Sequence, residues 1–397
     1  MMSIVFCFIG LLHYNGGLLL NMKADILIKR GHVIDAYQGI DEVRDIAVKD
    51  GLIVSADQVS EADRCFDASG CIVTPGLIDF HVHAFVLSSE LAISPETMCF
   101  PTGVTTIVDA GSAGVANYEA FRVAAQFSRV RQFSYLHVNS GGIASVKFPE
   151  SHDPKGYETE KILSLLKKYP ELLGLKVRES KNVVGNLGLE PLKIAIEISA
   201  QADKNVACHV TDGPVPSNEL VKLFRSGDVY AHVYHGKGYT ILGEDGHVMP
   251  EFFEARRRGV LFDAAVGKSH FAFSVAQAAL EDGFLPDIIS TDATVYNAWT
   301  DGVAFSLPAV MSRFMAIGMP LPDIVKCTTV NPARALGYEE DLGSLAVGTC
   351  ADIAVHRIIH HEMRYNDPVG GSFVGQEVLD TKLTVRDGNV VYRSITF

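Results

Sequence analysis

Two histidines, His81 and His83, close the stretch GLIDFHVHAF (76–85), just after Pro75 and the apolar run Cys71-Ile72-Val73. If that stretch is a strand, residues i and i+2 share a face, so both imidazoles point the same way. Further along, Lys176 stands in GLKVRES, His209 in ACHVTDG, His232 in YAHVYHGKG and Asp292 in IISTDAT, each at the end of an apolar run. Imidazole and carboxylate are good ligands for zinc and similar divalent metals. The lysine is the odd member, because an ammonium cannot bind a cation. With carbon dioxide added it becomes a carbamate, an anion able to bridge two metals. A crowded cationic site favours the deprotonated amine that this addition needs.

These residues act together only if their runs end in one place. Between 75 and 335, apolar stretches predict strands at 76–80, 105–109, 132–138, 173–177, 206–209, 229–233, 261–263 and 288–290. Helical patterns such as EKILSLLKKYP, EPLKIAIEISAQADK and VAQAALEDG lie between several of them. Eight strands with helical crossovers predict an α/β chain built on a (β/α)8 TIM-type barrel, in which active residues gather at the C-terminal strand ends. The two chain ends read differently: DILIKRGHVID and KLTVRDGNVVYR are short strands broken by turns. We expect 22–74 and 336–397 to form one small β-sandwich domain beside the barrel at 75–335.

Net charge is −13, from 34 basic and 47 acidic side chains, with no basic run long enough to follow a phosphate backbone. A nucleic-acid partner is excluded on that ground. The seven cysteines are scattered without a CxxC pair, which suits a reducing cytoplasm rather than a disulfide framework. The apolar run at 3–12 is too short to span a membrane and lacks both a preceding basic residue and a cleavage site. Residues 1–21 are expected to be a mis-assigned start or disordered leader, with the natural chain beginning at Met22. The partner expected is a small-molecule substrate, neither nucleic acid nor membrane; a homo-oligomer is compatible with the sequence.

In its ordered set of motifs, PGLIDFHVHAF, GVTTIVDAGSAG, GLKVRES, HVYHGK and PDIISTDAT, the chain from about Met22 onward resembles the amidohydrolase superfamily. More closely it is similar to the deacetylase-like branch near dihydroorotase, which includes esterases of acylated hydroxy acids. The resemblance implies two divalent metals, with zinc expected. His81, His83 and Asp292 would hold one and His209 and His232 the other, bridged by carboxylated Lys176 (N6-carboxylysine) and a hydroxide. It implies hydrolysis of an amide or ester of a small carboxylated molecule, with Asp292 moving the proton. His235 departs from the pattern, standing where an asparagine is expected, and so does DAAVGKSHF, where a DVGHG-like segment is expected.

Rival readings are weaker. Dihydroorotase activity goes with an arginine two residues after the histidine pair, and Phe85 stands there. A single-metal deaminase needs a glutamate close after His209 or His232, and neither segment has one. A non-catalytic scaffold would have lost ligands. Arg178, two residues after Lys176, shares its face in a strand. Its nearest sequence carboxylate, Glu179, leaves the opposite face, so Arg178 is expected to bind a substrate carboxylate, the alternative being a salt bridge to a neighbouring loop acid, with His235 and Tyr296 as further substrate contacts. His270 is balanced between loop residue and substrate contact; His137 reads as structural, and GSAG (111–114) as a tight turn.

Overall fold

Five strands open the described part of the chain: β1 (Met22–Asp35), β2 (Ile40–Lys49), β3 (Leu52–Val54), β4 (Val59–Asp67) and β5 (Ile72–Pro75). Seven follow: β6 (Leu77–Val82), β7 (Val104–Gly114), β8 (Arg131–His137), β9 (Leu172–Arg178), β10 (Asn205–His209), β11 (Val229–Ala231) and β12 (Leu261–Asp263). Three close it: β13 (Ile353–Asn366), β14 (Ser372–Arg386) and β15 (Asn389–Arg393). This is a computed structural model, and it describes residues 22–144, 150–298, 300–303 and 305–397. The apolar stretch at 1–21 lies outside them.

Strands β6 to β12 form one parallel sheet in sequence order. β6 and β7 are buried at every position, as expected of parallel strands covered on both faces. Helices pack outside. In Thr159–Lys168, Ile162 and Leu166 are buried one turn apart, Glu160 lies in the first turn and Lys167 and Lys168 in the last, where the helix dipole favours each charge. In Glu190–Gln201, Leu192, Ala195 and Ser199 make the buried stripe.

The eighth predicted strand, 288–290, forms no ladder. Its segment instead makes one parallel bridge to each edge of the sheet, Ile288 to Asp263 of β12 and Ala293 to Val82 of β6. Both edges therefore meet the same segment and the sheet curls. The ladder is broken by left-handed backbone at Ala265 (φ 35°) and Asp292 (φ 50°), which turns peptide groups out of strand register.

The remaining eight strands form a second sheet, in the order β15-β14-β13-β5-β1-β2-β3 with β4 on β1. The expected sandwich is instead one continuous ladder. β5 pairs with β1 on one edge and β13 on the other, joining strands from both chain ends edge to edge. Ile26, Val33, Phe66, Ile353 and Leu383 gather in its apolar cluster. Among the described residues, no helix is long and apolar enough to cross a membrane.

Candidate metal centre

His81 is the penultimate residue of β6 and His83 follows its end. The Nε2 atom of each lies 3.6 Å from Asp292 Oδ1. Lys176 projects from β9 with Nζ 3.0 Å from His81 Nε2. Register sets Lys176 opposite Ala207 of β10, so His209, two residues on, shares that face at the strand end. His232 follows β11 with a left-handed φ of 67°, and its ring centroid is 4.4 Å from that of His209. All six residues singled out from the sequence thus converge. Ligand atoms of His81, His83 and Asp292 lie within 4.8 Å of one another, and so do those of His209, His232 and His270.

Three of the rings have their far nitrogen engaged. His81 Nδ1 lies 3.3 Å from Asp263 Oδ2, and His83 Nδ1 lies 2.9 Å from Ser112 Oγ. His232 Nδ1 donates to the Ala265 carbonyl at 2.7 Å. That leaves Nε2 as the nitrogen each can turn to the centre, that of His81 facing Lys176 Nζ, which is how metal-binding histidines are oriented. Burial keeps the imidazoles neutral, the form that ligates. It lowers His83 to about 3 and, with the Lys176 charge next, takes His81 well below its ordinary value. Burial lowers Lys176 and raises Asp292, each partly opposed by the other's charge. Oriented neutral donors, a buried carboxylate and a lysine amine eased toward its neutral form make a set that fits divalent metal ions.

Sequence reasoning missed Asp263, Ser112 and Glu150. Burial raises the Asp263 carboxyl to about 7, opposed by hydrogen bonds from Ser290 Oγ and the Ala265 amide. Its place at the end of a predicted strand was the available signal. The predicted turn at 111–114 is instead the end of β7, with Gly111 at φ 86°. A Cβ there would lie 2.6 Å from Lys176 Cβ, so the glycine makes room for the lysine and Ser112 reaches His83. Likewise a Cβ on Gly267 (φ 51°) would lie 2.5 Å from Asp292 Oδ2.

A cavity of about 350 Å³ opens onto the centre, with Arg178, Lys268 and Tyr296 on its wall. Arg178 shares the Lys176 face as expected, but the substrate carboxylate expected for it gives way to the alternative, a loop acid: Arg178 Nη1 donates to Glu150 Oε1. Glu150 comes from the loop after β8, where sequence separation hid it. Its other oxygen is 3.2 Å from His152 Nε2 and 3.5 Å from His137 Nε2. Glu179 does leave the other face and accepts from the Leu192 amide at 2.8 Å. Tyr296 is half exposed at the mouth. His235 is fully buried, with Nδ1 accepting from the Lys237 amide at 3.4 Å, and it is not among the residues lining the cavity.

Residues 72–391 match the amidohydrolase family model. The chain belongs to the amidohydrolase family. This amidohydrolase is 31% identical over 319 residues to a deacetylase of Agrobacterium fabrum, covering 80% of this chain and 78% of that protein. It is 28% identical over 375 residues to a deacetylase of Enterococcus faecalis, covering 93% and 99%. A solved adenine deaminase superposes with a TM-score of 0.85 at 28% identity, over 94% of this chain and 100% of that one. A solved dihydroorotase superposes at 0.81 and 29%, over 93% and 98%. The family and these relatives identify a hydrolytic enzyme acting on C–N bonds.

Proposed function

We propose that this amidohydrolase is a metal-dependent deacylase or esterase that cleaves an amide or ester of a small carboxylated molecule. The observation that carries this reading is the pair of ligand triads, of which His81, His83, Asp292, His209 and His270 line one cavity together with Lys176. In it, His81, His83 and Asp292 would hold one ion, His209 and His232 the other, and Lys176 would be carboxylated to serve both; zinc is the metal we expect. When bound, such ions polarise a scissile carbonyl and lower the pKa of the water beside them.

The chain's own residues do the rest. Asp292 takes the proton of the attacking water and passes it to the leaving group. Its backbone is fixed by bonds from the Asp292 amide to the His81 carbonyl (2.8 Å) and from Asn297 Nδ2 to the Asp292 carbonyl (3.0 Å), which supports that precision. Asp263 and the Ala265 carbonyl hold the rings of His81 and His232. Tyr296 orients the substrate at the mouth, Arg178 lines the wall with its charge held by Glu150, and His235, away from the cavity wall, has no direct contact in this reading. Phe85 is buried in the core, which speaks against the dihydroorotase-type cyclic amidase, the alternative on this fold. The same reading takes the irregular segment 288–293, bridged to β12 and β6, as closing the barrel at 75–335, with 22–74 and 336–397 as a separate small domain.

The test is the metal content of Lys176→Ala, measured by elemental analysis beside hydrolysis of acylated amino and hydroxy acids. Metal and turnover should fall together, and a short carboxylic acid should restore part of both. A variant that keeps its full metal and rate would refute the binuclear reading.

A further inference from the structure

The cavity wall carries three cationic side chains, Lys176, Arg178 and Lys268. Lys176 belongs to the centre. Arg178 is joined to Glu150, so its charge is cancelled within the protein. The guanidinium keeps spare N–H donors, but it offers an arriving anion no net charge. Lys268 differs from both. It is exposed at the mouth, and among the described residues it has no ion pair or hydrogen bond.

Its backbone is held against the centre. The Gly267 amide donates to the Thr291 carbonyl at 3.0 Å, and Gly267 packs on Asp292 so closely that a Cβ would collide. On the far side, His270 Nδ1 lies 3.0 Å from Thr211 Oγ1, and the Ala272 amide donates to the Tyr234 carbonyl at 2.8 Å. An ammonium on a segment tied at both ends, facing a cavity whose other non-centre cation is neutralised, is a ready partner for an anion. Side chains held by rigid surroundings make the more selective contacts. The segment is also where this chain departs from the family pattern, as specificity would require.

We propose that Lys268 recognises the substrate's carboxylate. It holds the anion at the mouth while the amide or ester bond lies at the Asp292 end of the cavity. The substrate class is then a small acylated acid used as its anion. This rests on the hydrolase reading above.

The test compares an acylated amino acid with its methyl ester on the metal-loaded wild type, Lys268→Met, Lys268→Arg and the double variant Arg178→Met/Glu150→Gln, which removes the internal pair without leaving a bare charge. Wild type should prefer the free acid by at least about tenfold in kcat/KM. Lys268→Met should lose that preference through KM with kcat little changed, Lys268→Arg should regain it, and the double variant should keep it. A preference that survives in Lys268→Met, or disappears only in the double variant, overturns the assignment and returns it to Arg178. Equal use of acid and ester by wild type also overturns it while leaving the hydrolase reading intact. Calorimetric binding of the unacylated acid and its methyl ester reads the same discrimination without turnover. There, loss of the acid's advantage in Lys268→Met supports Lys268 even if the reaction proves different, and its persistence refutes Lys268.

Discussion

Replacing Arg178 by methionine and Glu150 by glutamine together should cost clearly less stability than the two single losses added. Burial would raise the Glu150 carboxyl, yet the His152 hydrogen bond, the Arg178 charge and the His137 contact bring it from 4.5 down to about 2. A shift of that size corresponds to about 3 kcal/mol of net preference for the carboxylate, shared among those partners. The Glu150 side chain is 9% exposed, so water replaces little of what Arg178 supplies. Arg178→Met strands a buried anion, and such losses run to about 3–5 kcal/mol. Glu150→Gln strands a guanidinium that is 22% exposed and better hydrated, so its cost should be smaller, about 1–3 kcal/mol. The double variant removes both charges and should be more stable than the sum of the single losses allows, by about 2 kcal/mol. Urea unfolding of the four proteins at matched metal content closes the cycle. The pH dependence has a fixed sign: with the folded pKa depressed, the stability from Glu150 is present above about 4.5 and is lost as pH falls toward about 2. The gap between wild type and Glu150→Gln must narrow over that window. Losses that add within about 0.5 kcal/mol, or a gap independent of pH, would show that the pair contributes nothing to the fold.

Asp292→Asn should retain much of the bound metal, since four histidines and Lys176 remain, while turnover falls by roughly two to four orders of magnitude, the range for losing a general acid–base group; a nearly unchanged rate would move proton transfer to another residue. Glu179→Gln should stabilise the protein increasingly as pH rises. Burial pushes the Glu179 carboxyl up to about 8, only partly offset by the Leu192 amide, so from 4.5 to 8 the folded chain holds a proton that the unfolded chain has released. Stability falls across that window, and glutamine, which is neutral and still accepts from Leu192, escapes the loss. The variant's advantage in denaturant midpoint should therefore be larger at pH 8 than at pH 5, by up to a few kcal/mol; a constant advantage would mean that Glu179 is ionised in the fold.

The candidate metal ligands were legible because these residues sit where strand periodicity decides direction. His81, Lys176 and His209 each end an apolar run, and period two fixes the face on which each emerges. His83, His232 and Asp292 follow within a residue or two, so the same logic reached them although two have left-handed backbone. What failed were inferences about partners. Asp263 serves His81 across 182 residues, and Glu150 meets Arg178 from a loop 28 residues earlier; neither pairing leaves a periodic trace. The strand at 288–290 and the turn at 111–114 were misjudged for a related reason. At 288–290 left-handed Asp292 interrupts the ladder, while at 111–114 the strand continues with Gly111 left-handed to make room for Lys176, so the site shapes the element rather than the reverse. The proposed substrate contacts lie almost wholly on that illegible side. Lys268, Tyr296 and the Glu150 loop belong to connections between strands, whose direction no pattern in the sequence dictates. If the Lys268 proposal holds, a single charge on such a connection sets substrate preference without touching the six residues that converge at strand ends.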